Sequence, residues 1–299
     1  MVFNIVFAAQ KVCIIGDSAK KKSCKMHFST KKVVLLRTQT PLRWVLLIMA
    51  STDSETLEQM LTRYAAQYEN ADFLIGDPSW FMHQVRGQEN QEAMAFIASA
   101  LSYGSRQQFM ARIRQILDRT GGEADAWVRQ GAFREMFRSG DKSCFYRLYT
   151  CDTMRAFLAA YQQLLQTHGT LGTYVRDSAS DCLGAVAAIC RYFAAQGIST
   201  VIPKDTQSAC KRVCMFMRWM VRSGSPVDLG LWAGFIDRRT LIMPLDTHVL
   251  SQSVRLGLLQ SRTASMSTAI RLTQSLARIF PDDPLRGDFA LFGYGINHK

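Results

Sequence analysis

The residues whose types and spacing best suit chemistry lie in the run Pro244-Leu245-Asp246-Thr247-His248-Val249. An apolar, extended stretch from 241 to 245 reaches a proline and then an aspartate, where a helix begins. Asp246 is thereby placed to cap that helix, its carboxylate accepting from first-turn N–H groups. Gly257 is placed to close it just past its last turn. Most aspartates in such a position do no more than cap. A second candidate is Lys211, in the first turn of a helix within residues 208–220. An amine must lose its proton before it can attack carbon. The positive end of a helix, the adjacent Arg212 and largely apolar neighbours all disfavour a further positive charge there. The alternative is a basic stripe, since Lys211, Arg218 and Arg222 share one helical face and would suit phosphate contacts.

Asp246-Thr247-His248-Val249, with Arg255-Leu256-Gly257 at the matching offset after residues 250–254, resembles the helix-hairpin-helix (HhH-GPD) DNA glycosylases, base-excision repair enzymes with the pattern V-D-T-H-V-x-R-x-x-x-R-L-G. Ser251 stands where that family commonly has Arg. The resemblance implies a two-lobed all-α fold. It also implies that Asp246 stabilises positive charge at the sugar C1′ and assists the attacking group. The nucleophile it calls for, a lysine at the start of an upstream helix, falls on Lys211. In that superfamily a tight glycine hairpin precedes the lysine, whereas residues 203–208 here contain no glycine. In this respect the chain looks like the archaeal 8-oxoguanine glycosylase branch, which has an atypical hairpin and a longer gap between Lys and Asp. It looks closer still to a bacterial domain-of-unknown-function family with the patterns S-x-x-K-R-x-x-x-F-x-R-W-M-V-R, D-L-G-L-W, P-L-D-x-H-V and D-F-A-L-F-G. These fall at residues 208–222, 228–232, 244–249 and 288–293, and that likeness covers most of residues 70–299.

Glycosylases of this class place a wedge at the turn between two early helices, which maps onto residues 98–107. Tyr103, Arg106 and Gln107 are the candidates for entering the stack and touching phosphate, unless this is only an inter-helix turn. Arg212, Arg218, Arg222 and His248 complete the expected DNA contacts. Met215, one turn after Lys211, and Phe289 or Phe292 in the last helix are the candidates for sandwiching a flipped base. Such residues at helical spacing also serve as plain core, the role expected of Trp219 and Trp232. Cys210 and Cys214 with His248 form too small a set for a metal, and the closely spaced four-cysteine cluster of an iron–sulfur centre does not occur. The expectation is therefore no metal, no iron–sulfur cluster and no cofactor.

The elements that must position these residues read as helices. Apolar side chains recur at helical spacing over residues 51–68, with Ser54 as cap, and over 91–103, 105–117, 153–168, 180–195, 207–221, 247–256 and 265–279, then from about 285. About ten helices joined by Gly- or Pro-marked turns define an all-α class, strand-like alternation being scarce after residue 50. No fixed-period repeat, dinucleotide or phosphate loop, zinc-protease or serine-hydrolase motif occurs.

The chain has 299 residues and a net charge of +12, but residues 1–49 alone carry nine Lys or Arg against Asp17. The remaining 250 residues hold 27 basic and 23 acidic side chains, so a DNA footprint must come from local placement of charge. Residues 1–49 read as an N-terminal extension, unstructured or lying outside the native protein, with β-prone pieces at 2–7 and 33–36. Residues 50–299 read as the glycosylase-like domain. Eight cysteines without a disulfide-like framework suggest reduced thiols. No apolar run approaches the roughly 20 residues needed to cross a bilayer, and a cytoplasmic monomer without membrane contact is expected. The expected partner is double-stranded DNA with a damaged base. A nucleic-acid-binding protein that keeps the fold without the chemistry is the alternative, and a helical domain with no nucleic-acid role is a third.

Overall fold

The computed structural model describes residues 55–298 and, before them, three short stretches of backbone. These stretches are β1 (Met26–His27), β2 (Lys32–Arg37) and β3 (Trp44–Ile48), an antiparallel sheet in the order β1-β2-β3 with Val33 opposite Ile48 and Arg37 opposite Trp44. The described part of residues 1–49, expected to be unstructured or to lie outside the native protein, is this sheet. The β-prone piece at 33–36 lies inside β2, whereas the piece at 2–7 and the cap assigned to Ser54 lie outside the described residues. Residues 1–56 and 57–299 are separate compact units.

The second unit is predominantly helical. In order it contains α1 (Leu57–Tyr68), two 3₁₀ turns (Ala71–Leu74 and Pro78–His83), α2 (Gln88–Leu101), α3 (Arg106–Thr120), α4 (Ala124–Arg129) and α5 (Phe133–Met136). A small hairpin follows, β4 (Cys144–Tyr146) and β5 (Tyr149–Thr150). Then come α6 (Cys151–His168), α7 (Leu171–Ser178), α8 (Cys182–Ala195), α9 (Lys211–Val221), α10 (Thr247–Arg255), α11 (Met266–Ala277) and α12 (Arg286–Asn297). Helix starts are set by side chains: Thr150, Thr170, Asp181, Asp246 and Ser265 each accept from the backbone N–H three residues on. The caps at 150 and 181 shift α6 and α8 by about two residues from where apolar spacing alone begins them. The short α4, α5 and α7 and the hairpin carry too few turns to announce themselves by period.

α2 forms the centre, buried continuously from Glu92 to Leu101 because nearly every side chain there is apolar or small. Phe96 packs among Phe157, Tyr161, Phe193 and Phe216, with ring centroids 4.9–5.7 Å apart. Each fully buried ring of this kind contributes about 1.5–3 kcal/mol relative to exposure. Trp219 and Trp232 are buried as expected. The only charge on the inner face of α2, Glu92, accepts from the backbone N–H groups of Leu171 (2.8 Å) and Gly172 (3.0 Å) and from Trp232 Nε1 (2.9 Å). Burial nevertheless pushes its carboxyl pKa up.

Two further arrangements fix the helix that carries Lys211. First, residues 228–232 strap across the end of α9: Leu229 N donates to Trp219 O at 2.8 Å and Trp232 N to Met220 O at 2.7 Å. Second, Asp228 reaches back from this strap to both Arg218 and Arg222. At the other end of the unit α1 lies along α12, where Tyr68 stacks edge-on with Phe292 and its hydroxyl accepts from Asn297 at 2.7 Å. No helix among the described residues is long and apolar enough to cross a membrane.

Candidate active site

Lys211 is the first residue of α9, and Asp246 is the cap of α10. The two helix starts converge so that Lys211 Nζ lies 3.2 Å from Asp246 Oδ2, each side chain about one-third exposed. The other oxygen, Asp246 Oδ1, accepts from Val249 N at 2.8 Å. The aspartate therefore caps and pairs at once, one oxygen for each task. Because the cap fixes the carboxylate's direction, the amine meets an acceptor that is already oriented.

The turn before Lys211 is built without glycine. Asp205 Oδ1 accepts from Gln207 N at 3.0 Å, and Cys210 Sγ donates to Asp205 O at 3.3 Å. Ser208 pairs as an isolated bridge with Ser265, the cap of α11. Cys210 takes the left-handed conformation (φ 44°, ψ 37°) that a glycine would normally occupy. Cys190, hydrogen-bonded to Cys210, holds that thiol below its ordinary value, while burial raises Cys182 to about 12. No group of three or more His, Cys, Asp or Glu among the described residues is arranged to hold a metal ion.

The Lys211–Asp246 pair sits on the wall of a cavity of about 420 Å³. Met215, Phe292, His248 and Arg106, all expected at the site, line it as well. His248 is exposed and packs against Gly295, where any Cβ would run into the imidazole. Arg106 is exposed with no ion pair among the described residues, and Gln107 is exposed beside it. Sequence reasoning missed Phe73, Asp77 and Asp288 in the lining. Asp288 opens the D-F-A-L-F-G pattern, so its signal lies in the sequence beside the aromatic residues that follow. Its carboxyl is raised by burial, against the pull of Arg218.

Several expected residues take other places. Arg218 and Arg222 are 3% and 1% exposed. Arg218 pairs with Asp228 at 3.2 Å and with Asp288, and forms part of the cavity floor. Arg222 Nη2 reaches Asp283 at 2.8 Å and Glu69 at 2.6 Å, and Nη1 reaches Asp228. These guanidiniums are spent on buried carboxylates and form no phosphate stripe. Arg212 likewise turns inward, donating to Ala100 O at 2.6 Å and to the Tyr149 hydroxyl. Phe289 is fully buried against Phe73, ring centroids 4.8 Å apart, and lies behind the cavity rather than on it. Tyr103 is locked: its hydroxyl donates to Tyr146 O at 3.5 Å, and Arg147 and Arg212 lie 5.5 and 5.1 Å from its ring centroid.

The chain belongs to the family described as "Protein of unknown function (DUF2400)", which matches residues 77–297. That span takes in the whole cavity wall except Phe73. Neither a curated protein nor a solved structure matches the chain.

Proposed function

We propose that this protein is a DNA glycosylase with lyase activity, of the two-lobed helix-hairpin-helix kind, acting on a damaged base in double-stranded DNA. The observation that carries the reading is the 3.2 Å approach of Lys211 Nζ to Asp246 Oδ2 on a cavity wall that also bears Met215 and Phe292. A volume of about 420 Å³ falls within the roughly 300–1,000 Å³ of small-molecule sites. It suits an extruded base, and an oxidised purine is the preferred candidate from the resemblance.

In this reading Asp246 accepts a proton from the Lys211 ammonium, leaving the amine's electron pair free. Nζ then bonds to C1′ while the glycosidic bond breaks. The amine's pair becomes the new bond, and the base leaves with the pair of the broken glycosidic bond and takes up a proton. The Asp246 carboxylate steadies positive charge at C1′ as the bond order shifts. Opening of the sugar ring converts the amine adduct to a Schiff base, with O4′ becoming a hydroxyl. Loss of a C2′ proton then expels the 3′ phosphate, and water releases the lysine. Exposed Arg106, Gln107 and His248 around the mouth are the phosphate-contact candidates that remain once the buried arginines are set aside.

The test is borohydride trapping on duplexes carrying 8-oxoguanine, uracil or an abasic site, with native protein and Lys211→Ala. A covalent adduct in the native protein that vanishes in the variant is expected, and the lesion that yields it names the substrate. Salt-dependent binding with no adduct on any duplex would overturn the lyase reading in favour of a non-catalytic DNA-binding protein.

A further inference from the structure

Among the described residues the two most exposed large apolar side chains are Leu148, at 81%, and Ile75, at 78%. Neither lines the cavity of the Lys211–Asp246 pair, but each has near neighbours that line it or touch its lining. Ile75 follows Phe73 and precedes Asp77 and Pro78, three of its lining residues. Leu148 stands at the tip of the β4–β5 hairpin beside Arg147, whose side chain lies over Gly104, another lining residue. A Cβ at Gly104 would come within 2.7 Å of the Arg147 guanidinium and 2.9 Å of the Tyr146 hydroxyl, so the close seat needs a glycine (φ +79°).

The hairpin is stiff. Phe145, Tyr146 and Tyr149 are buried, and Phe145 meets Phe137 edge-on at 4.9 Å. The Tyr103 hydroxyl accepts from Leu148 N at 3.4 Å. Only two non-glycine residues among those described have a left-handed backbone, Arg147 (φ 51°) and Cys210 (φ 44°). One flanks Leu148 and the other precedes Lys211. Such conformations persist where the surroundings over-determine them.

We infer that the Arg147–Leu148 tip is the wedge that enters duplex DNA, Leu148 filling the space an extruded nucleotide leaves in the stack while Arg147 contacts the flanking phosphate or base. This rests on the glycosylase reading above and moves the wedge from Tyr103, which is anchored, to a residue with nothing else to pack on. An apolar side chain on a rigid support is suited to propping apart base steps, because little ordering entropy is lost on insertion. Leu148 is absent from the core, so replacing it leaves folding intact.

The experiment uses the full chain and a duplex carrying an abasic site flanked by 2-aminopurine, with intact duplex as the comparison. Native protein is expected to raise 2-aminopurine fluorescence on binding and to prefer the abasic duplex. In Leu148→Ala the rise should disappear and the preference fall on the order of tenfold. Leu148→Met should restore both and Leu148→Glu should not. Should the native protein form the Lys211 adduct while Leu148→Ala matches it in fluorescence and preference, the wedge is overturned and the glycosylase reading stands. Should the native protein neither bind these duplexes nor form an adduct, the underlying reading has failed and takes the wedge with it.

Discussion

Tyr103 and Tyr146 exchange hydrogen bonds, each phenol hydroxyl donating to the other residue's backbone carbonyl. Their rings meet at 5.1 Å and 69°, so the end of α2 and the hairpin are clamped twice over. Tyr146→Phe removes the shorter of the two bonds and leaves a part-buried carbonyl without its donor. Chemical denaturation should register a loss of about 1 kcal/mol. A variant as stable as the native protein would mean the clamp adds nothing.

The divided carboxylate of Asp246 can be dissected. Asp246→Asn keeps an oxygen for Val249 N, and asparagine is itself a good cap, so the unfolding midpoint should stay close to native. Under the proposed function, excision should drop about 10²–10⁴-fold, as for the loss of a general base. Asp246→Ala should lose the same activity and a further ~1 kcal/mol of stability. Equal stability of the two variants would show that the cap contributes little. Native-like excision by the asparagine variant would remove Asp246 from the chemistry.

Arg222 sits where burial opposes its charge, but Asp283, Asp228 and Glu69 more than compensate, and its pKa is raised. Arg222→Ala leaves Asp228, which has no exposed side-chain surface, with Arg218 as its one remaining cationic partner among the described residues, and takes from Asp283 its main partner. Urea unfolding should show a loss of about 3–5 kcal/mol. Arg222→Lys should recover only a part, because one ammonium cannot reproduce a fork that serves three carboxylates. Full recovery with lysine would reduce the network to a matter of net charge.

Glu92 offers a pH signature. Burial raises its folded pKa above the ordinary 4.5, so the folded chain holds this proton where the unfolded chain has released it. Its contribution to stability is fully present below the unfolded value and declines as pH rises through the folded one. Comparing native protein with Glu92→Gln from about pH 4 to about pH 8, the native protein should lose ground as pH rises from the unfolded to the folded value and hold level above it. A difference that is flat, or of opposite slope, would contradict this account.

The helical class and the meeting of Lys211 with Asp246 were legible because both depend on local signals. Apolar spacing marks a long helix, and an aspartate after Pro244 marks a helix start. Arg218 and Arg222 were misread because their spacing with Lys211 describes a helical face but not what packs on it. Asp228 lies on the strap and Asp283 just before α12, so the carboxylates that bury these arginines come from elsewhere in the chain. The anchoring of Tyr103 was hidden for the same reason, since its partners Tyr146 and Arg212 lie 43 and 109 positions away. The hairpin that anchors Tyr103 is five residues of strand around a two-residue tip, too short for alternation to reveal.

The family match begins at residue 77, yet α1 lies before it and packs along α12. Glu69, just past α1, holds Arg222 at 2.6 Å and Arg286 at 3.3 Å, and the Tyr68 ring covers Gly293, where no Cβ would fit. The compact helical unit therefore starts at Leu57, ahead of the family match. A fragment cut at the family boundary would bare an aromatic groove on α12 and release two arginines from their shared carboxylate. It would be prone to self-associate through that groove.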